Sequence, residues 1–293
     1  MKKSFSKTPV WVHIVLISVV LTCILPFLLL VISSFTSETA LVKDGYSFFP
    51  KEWSIEAYKY LWNSRSSIIR AYINTIIVTA LGTAFSLAVT STLAYSISQR
   101  NFRLGQLFTF AVLFATMFHP GLVPAYILYT RYLHIKNTML ALIFPRLFLT
   151  GMNVLIMRTY FKNSVPYSLI EAARLDGASE VTIFRKIVLP VSKPMLATIG
   201  FLTAVNYWND WYNSFIYISE AKKLSIQGLL NQILLDIQFI SSADFTGDMA
   251  NVNAPSVSIR MAIAIIAIIP VFVIFPLFHK YIVKGISIGA IKG

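Results

Sequence analysis

Six apolar runs, each near the length that crosses a bilayer as a helix, constrain this chain more than any other feature. They fall at roughly 10–34, 72–98, 107–130, 138–158, 195–218 and 260–283. About 20 apolar residues span the hydrocarbon core as a helix. Lipid offers backbone groups no hydrogen bonds, so each run must satisfy its own, and an all-α membrane protein with six transmembrane helices is expected. Only 13% of the 293 residues are charged, about half the share found in soluble domains. The first run follows Lys2, Lys3 and Lys7, as a signal peptide would. It continues to about Ile32 without a small-residue cleavage site, so it is read as a spanning helix.

The net charge of +13 sorts by side rather than clustering on a soluble domain, so it is not a nucleic-acid signal. With the N-terminus inside, the inner segments carry fourteen of the 25 basic residues. They carry only three acids, Glu171, Asp176 and Glu180, an excess of eleven positive charges. The positive-inside rule then puts both termini in the cytoplasm. The single cysteine, Cys23, lies within the first run and provides no disulfide framework.

The loop from about 35 to 70 is external and rich in aromatic residues, among them Phe49, Trp53, Tyr60 and Trp62. It reads as an interfacial aromatic belt or as a docking surface for an external partner. The third run is interrupted by His119-Pro120-Gly121 and Pro124. Proline kinks a helix, and the kink either shapes a cavity or accommodates packing. His119 alone reads as a satisfied polar side chain rather than a ligand. Residues 219–258 form the longest external loop, with Asp236, Asp244 and Asp248.

Between the fourth and fifth runs lie about 36 residues, 159–194, far more than a turn needs. Pro166 suits the start of a helix. The helix Tyr167–Leu175 presents Leu169, Ala172, Ala173 and Leu175, and Asp176-Gly177 ends it, with glycine free to adopt a left-handed cap. Ser179 can cap a second helix with Glu180 in its first turn. That helix passes through Phe184 and Ile187 and is expected to stop before Pro190. On physical grounds the unit is either an amphipathic hairpin on the inner membrane surface or a contact for another protein.

These residues carry a resemblance. Glu171-Ala172-Ala173, then Gly177, then Ile187-Val188-Leu189-Pro190 resemble, in identity and spacing, the signature of the inner-membrane permeases of ATP-binding-cassette importers. Asn74–Ile77, Leu93–Arg100, Gly121–Pro124, Asn153–Arg158 and Tyr281–Gly293 look like segments of the carbohydrate-uptake branch. The chain is most similar there to the counterpart of the maltose transporter's G subunit. Met117–Pro124 and Trp208–Trp211 look like the lipoprotein-dependent oligosaccharide subgroup.

The resemblance implies a single permease domain over 1–293, with a core of about 70–283, a cytoplasmic coupling loop at 159–194 and a cytoplasmic tail at 284–293. It implies a multi-pass protein of the bacterial plasma membrane. Its partners would be a second permease subunit, two copies of a cytoplasmic ATPase, an external solute-binding protein, a carbohydrate substrate and membrane lipid. Glu171, Ala172, Ala173, Leu175, Asp176, Gly177 and Ala178 would dock on the ATPase, and the Gly-rich tail would reach toward the ATPase interface. ATP and Mg would act in the partner. The chain lacks a Gly-x-x-x-x-Gly-Lys-Ser/Thr loop, so no catalytic residue, cofactor or metal is assigned to it.

The fifth run ends in Asn206-Tyr207-Trp208-Asn209-Asp210-Trp211-Tyr212-Asn213. Ionisable and polar groups at membrane depth usually face a bundle interior or a water-filled path. Asn and Asp can bond sugar hydroxyls and aromatic rings can stack on sugar rings, so Asn206, Tyr207, Trp208, Asn209, Asp210, Trp211 and Asn213 are candidate pathway residues. The alternative is an outer aromatic belt with Asn residues bonding between helices. Arg146 in the fourth run is a candidate partner for Asp210. Three rivals stand beside this reading: an importer of peptides or amino acids, a secondary transporter, and a membrane-embedded enzyme. A secondary transporter would show a repeat partner for the broken third run. An enzyme would need clustered catalytic groups, whereas the four His residues are scattered.

Overall fold

In the computed structural model, residues 10–118, 120–147, 151–242 and 256–290 are described. His119, Asp244 and Asp248 lie outside them. Every element among the described residues is helical, apart from one isolated antiparallel bridge between Thr36 and Trp53.

Three helices are long and apolar enough to cross a membrane whole: α1 (Val10–Ser34), α4 (Arg65–Ser98) and the stretch Val257–Pro276 of the last helix. Three further pairs of helices pass the same test of length and apolarity only when each bent pair is taken together. Gly105–Met117 (α5) and Leu122–Tyr132, which starts as α6 (Leu122–Ile127) and ends in a π turn, meet at 111°. α7 (Leu140–Leu147) and α8 (Gly151–Ser164) meet at 54°. Glu180–Val191 and α12 (Lys193–Trp208) meet at 81°.

Four clusters of residues depart from the sequence-based boundaries. α5 stops at Met117 because Pro120 cannot continue it and Gly121 takes φ +84°. The fifth run is not helical to 218. α12 ends at Trp208, and α13 (Tyr212–Tyr217) begins beyond a polar turn. Residues 219–258 contain a 17-residue helix, α14 (Ile226–Ser242), which buries Ile226, Leu229, Leu230 and Ile237. Finally, α15 (Ser256–Ala290) carries helical backbone through most of the expected tail, as far as Ala290.

The described residues fall into two compact units. The first comprises the chain up to Arg65 together with 233–269. In it, α1 exposes apolar side chains over most of its length, and two of its exposed hydroxyls are satisfied locally. Ser18 and Thr22 donate to carbonyls four residues back at 2.9 Å. α2 (Glu38–Asp44) and α3 (Glu56–Asn63) follow, with Phe35 stacked on Tyr58 at 4.7 Å. The carboxylate of Glu38 accepts from the backbone of Val257 at 2.8 Å and of Ser258 at 2.9 Å, satisfying orphan donors at the start of α15.

The second unit comprises 66–232 and 270–293. Its core joins α4, α5, α8, α9 (Tyr167–Leu175), the stretch Glu180–Val191 and α12 through Ala94, Val112, Met157, Ile170, Ile183 and Ile199, all buried. α12 meets α15 through Phe201, whose ring lies 5.7 Å from those of Phe275 and Phe278. Gly82 lets the ring of Tyr207 lie directly on the backbone of α4. A Cβ at position 82 would stand 2.6 Å from that ring. The Tyr207 hydroxyl then donates to the Ile143 carbonyl at 3.0 Å, tying α12 to α7. The Gly82→Val variant should therefore lose about 1–3 kcal/mol through overpacking. It should unfold at a lower temperature than wild type in detergent, with Gly82→Ala between them; equal midpoints would refute the close-packing account.

Candidate functional site

Two groups of side chains stand out: the helical element after α8 and the polar turn after α12.

The first begins at Pro166, whose extended conformation (φ −61°, ψ 122°) immediately precedes α9. α9 is held by Ile170, which is 5% exposed within the core. Asp176 closes it, and Gly177 at φ +79° turns the chain back. The Ala178 amide donates to the Ala173 carbonyl at 2.9 Å and the Gly177 amide to that of Arg174 at 3.0 Å, the Schellman pattern that requires a left-handed residue. The Ser179 hydroxyl accepts from the Thr182 amide at 3.3 Å and starts α10 (Glu180–Ile183). The helix does not stop before Pro190. A π turn, Phe184–Val188, leads into α11 (Leu189–Val191), so the proline sits in a fresh first turn, where its missing N–H costs nothing.

The faces of this element divide sharply. Ala173, Ala178, Phe184 and Ile187 pack against the core with Ile183 and Val188. Glu171, Ala172, Leu175, Asp176 and Gly177 are exposed. Leu175 is 89% exposed and Val181 65%, an apolar surface with no internal cover. Among the predicted contact residues, Ala173 and Ala178 therefore support the hairpin from within, and the other five form its outer face.

Sequence reasoning missed the side chains that fasten this element to α4. Arg174 donates from Nε to Glu180 Oε1 and from Nη2 to Gln99 Oε1, both at 2.8 Å. The Tyr95 hydroxyl donates to the second Glu180 oxygen at 2.6 Å. The Arg174 guanidinium, and after it the Tyr95 hydroxyl, hold the Glu180 carboxyl below its usual range against the opposing effect of burial. Glu180 in turn raises the pKa of Arg174. Tyr95 and Gln99 lie some 80 residues upstream, and no local spacing signals their part.

At the second group, the turn Asn209–Trp211 is built around Asp210, which is 3% exposed. Its carboxylate lies 2.7 Å from Arg146 Nε. The N–H of that nitrogen is not aimed along the line of approach, so the contact is an ion pair rather than an aligned hydrogen bond. The carboxylate also accepts from the Asn213 backbone at 3.1 Å and from its side-chain amide. Ser225 donates to the Asp210 carbonyl at 3.2 Å, and its own amide donates to Ser214 at 3.1 Å. Nearby, Asn74 donates to the carbonyls of Lys222 and Leu224, and Thr75 accepts from Ile226 at 2.7 Å. The candidate pathway residues thus separate. Tyr207, Trp208, Asp210 and Asn213 are buried, and Arg146 is bound to Asp210. Asn206, Asn209 and Trp211 are exposed, with Trp211 edge-on to Tyr212 at 5.8 Å. No group of three or more metal-binding side chains occurs among the described residues.

Residues 88–288 match the family described as the binding-protein-dependent transport system inner membrane component. The chain is 34% identical over 277 residues to a polygalacturonan/rhamnogalacturonan transport system permease of Bacillus subtilis strain 168, covering 93% of this chain and 94% of that one. It is 28% identical over 288 residues to a melibiose/raffinose/stachyose import permease of the same strain, covering 96% of each. A crystal structure of a bacterial ABC transporter involved in the import of the acidic polysaccharide alginate contains a similar chain. The TM-score is 0.74 at 26% identity, over 96% of this chain and 99% of that one. The chain belongs to the family of binding-protein-dependent transport system inner membrane components, the permeases of ATP-binding-cassette importers.

Proposed function

We propose that this chain is the permease subunit of a carbohydrate importer in the bacterial plasma membrane and that its substrate is an oligosaccharide. The observation that carries this is its likeness, over more than nine-tenths of its length, to a polygalacturonan/rhamnogalacturonan permease and a melibiose/raffinose/stachyose permease. The three whole crossings and three bent pairs support six spans. The basic excess of the inner segments supports two cytoplasmic termini and a cytoplasmic loop at 159–194 within one permease domain. A second permease would complete the path, two ATPase copies would supply the energy from ATP and Mg, and an external binding protein would deliver the sugar.

In this reading Glu171, Ala172, Leu175, Asp176 and Gly177 contact the ATPase, with Leu175 seated in an apolar cleft. Ala173 and Ala178 hold the hairpin from behind. Displacement of the hairpin passes to α4 through Arg174, Gln99, Glu180 and Tyr95. The sugar meets the exposed Asn206, Asn209 and Trp211. Asp210, Asn213, Arg146, Tyr207 and Trp208 fix the turn that presents them.

The deciding experiment is affinity purification of the tagged chain from its membrane. Wild type should bring an ATPase and a second permease. Leu175→Asp, a surface change, and Gly177→Pro should lose the ATPase and keep the permease. A wild-type chain that purifies alone and still transports would instead be a secondary transporter, and the importer reading would fail.

The two roles around α12 separate by variant. Asp210→Ala strands the Arg146 charge, at a cost of about 3 kcal/mol, and should lower the amount of folded protein. Asn209→Ala and Trp211→Ala should leave that amount unchanged and raise the sugar concentration needed for half-maximal uptake. The reverse pattern would place the sugar at Asp210.

Glu180 gives a pH test. Its folded carboxyl titrates below the ordinary value of 4.5, so its pairing is complete at neutral pH and is lost as pH falls below that value. The carboxylate is half-exposed, which limits its worth to about 0.5 kcal/mol. Wild type should melt above Glu180→Gln at pH 7, and the gap should narrow as the pH falls below 4.5. A gap that does not change with pH would mean that Glu180 acts through packing rather than charge.

A further inference from the structure

A cavity of about 310 Å³ opens between the end of α4 and the α8–α9 junction. Its polar wall includes Ser98, Arg100, Lys162 and Asn163, and its floor includes Phe161 and Ile170. The Arg100 guanidinium sits over the ring of Tyr167, 4.7 Å from its centre, and both residues line the cavity. Behind the rim Arg158 donates from Nε to the Ile97 carbonyl at 3.2 Å. Burial, and after it the nearby charges of Arg158 and Arg100, push the Lys162 pKa down. Among the described residues the ion pairs involve Lys51, Arg146, Arg174 and Lys223, and none involves these three cations.

Three neighbouring cations without a carboxylate partner, beside a hydroxyl and an amide, form a site for a compact polyoxygen anion. Charged donors to such an anion make short, strong hydrogen bonds. The apolar floor suits a ligand that is anionic at one end and apolar at the other. The cavity belongs to the segment whose basic excess places it at the cytoplasmic face, where anionic headgroups stand, and basic pockets at that boundary bind them.

We infer that the cavity walled by Ser98, Arg100, Lys162 and Asn163 binds an anionic phosphate group, presented by an anionic lipid of the inner leaflet or by soluble phosphate. The site is separate from the exposed hairpin face and from the turn at Asp210. It rests on the cytoplasmic placement of the loop only for where the ligand comes from. Binding in detergent is open from both faces and does not depend on that placement.

The test uses the full chain, with the subunits that co-purify, in a mild neutral detergent. Dioleoylphosphatidylglycerol, dioleoylphosphatidylcholine and inorganic phosphate are titrated separately and read by native mass spectrometry and by the unfolding midpoint. Phosphatidylglycerol should bind, raise the midpoint and outcompete phosphatidylcholine. Arg100→Gln with Lys162→Gln should weaken it about 25-fold, at about five-fold for each surface charge. The charge-preserving pair Arg100→Lys with Lys162→Arg should retain most of the binding, which separates loss of charge from misfolding. Arg103→Gln, outside the cavity lining, should bind as wild type does. Inorganic phosphate that displaces the lipid and raises the midpoint by itself would make soluble phosphate the source. Phosphate without effect would make it the lipid. Equal binding of both lipids, or phosphatidylglycerol binding unchanged in the double Gln variant, would overturn the site. ATPase co-purification is scored on the same samples, so failure of the importer reading shows independently.

Discussion

A hydrocarbon solvent accepts no hydrogen bond, and every departure from regular helix in this chain must be repaired by the protein itself. The turn between α12 and α13 shows the repair in full. Asp210 receives Asn213 twice, Ser225 reaches the Asp210 carbonyl, and Asn74 and Thr75 on α4 take up the groups freed at 222–226. Arg146 neutralises the carboxylate that this arrangement buries. A lone charge so buried would be costly, so the pair and the turn stand or fall together. The same demand explains smaller details, such as Ser18 and Thr22 folding back onto α1.

The helical hairpin shows the opposite arrangement, because it leaves an apolar surface uncovered. Its inner face shares the core of α4, α5, α8 and α12, so it is not a loose loop. Its outer face leaves Leu175 uncovered beside a tight glycine turn. Arg174 lies between the two functions: its backbone closes the turn at Gly177 and its side chain grips α4 through Gln99. A family signature whose small residues split between an inner and an outer face is under two constraints at once. Ala173 and Ala178 are small because the core behind them is close, and Ala172 is small on the outside.

Much of this was legible in the sequence where the signal is local. The apolar runs located the three long helices and the three bent pairs, Gly177 announced its turn, and Ser179 its cap. The Arg146–Asp210 pair followed from the rule that buried charges seek each other. What escaped was of two kinds. α14 reads as a loop because Gln227, Asn231, Gln232 and Asp236 make it too polar to cross a membrane, although its buried Ile226, Leu229, Leu230 and Ile237 keep helical spacing. The end of α12 escaped because an apolar run does not reveal where a polar side chain will capture the backbone. The Tyr95–Glu180 and Gln99–Arg174 contacts join residues whose proximity exists only once α4 and the hairpin are packed. The buried state of Asp210 and the exposure of Asn209 are likewise facts of packing, invisible in eight consecutive residues that look alike.

The corner of 81° between Glu180–Val191 and α12 has a mechanical consequence. Its two limbs are helical, and the π turn lets Pro190 remain in helical backbone just before the corner instead of breaking the shorter limb. Two helical limbs at nearly a right angle have the geometry of a bell crank. A sideways shift of the hairpin would become travel of α12 along its own axis if the core around Ile183, Val188 and Met195 held as the axle. The far end of that limb is Trp208, one residue before the turn at Asn209.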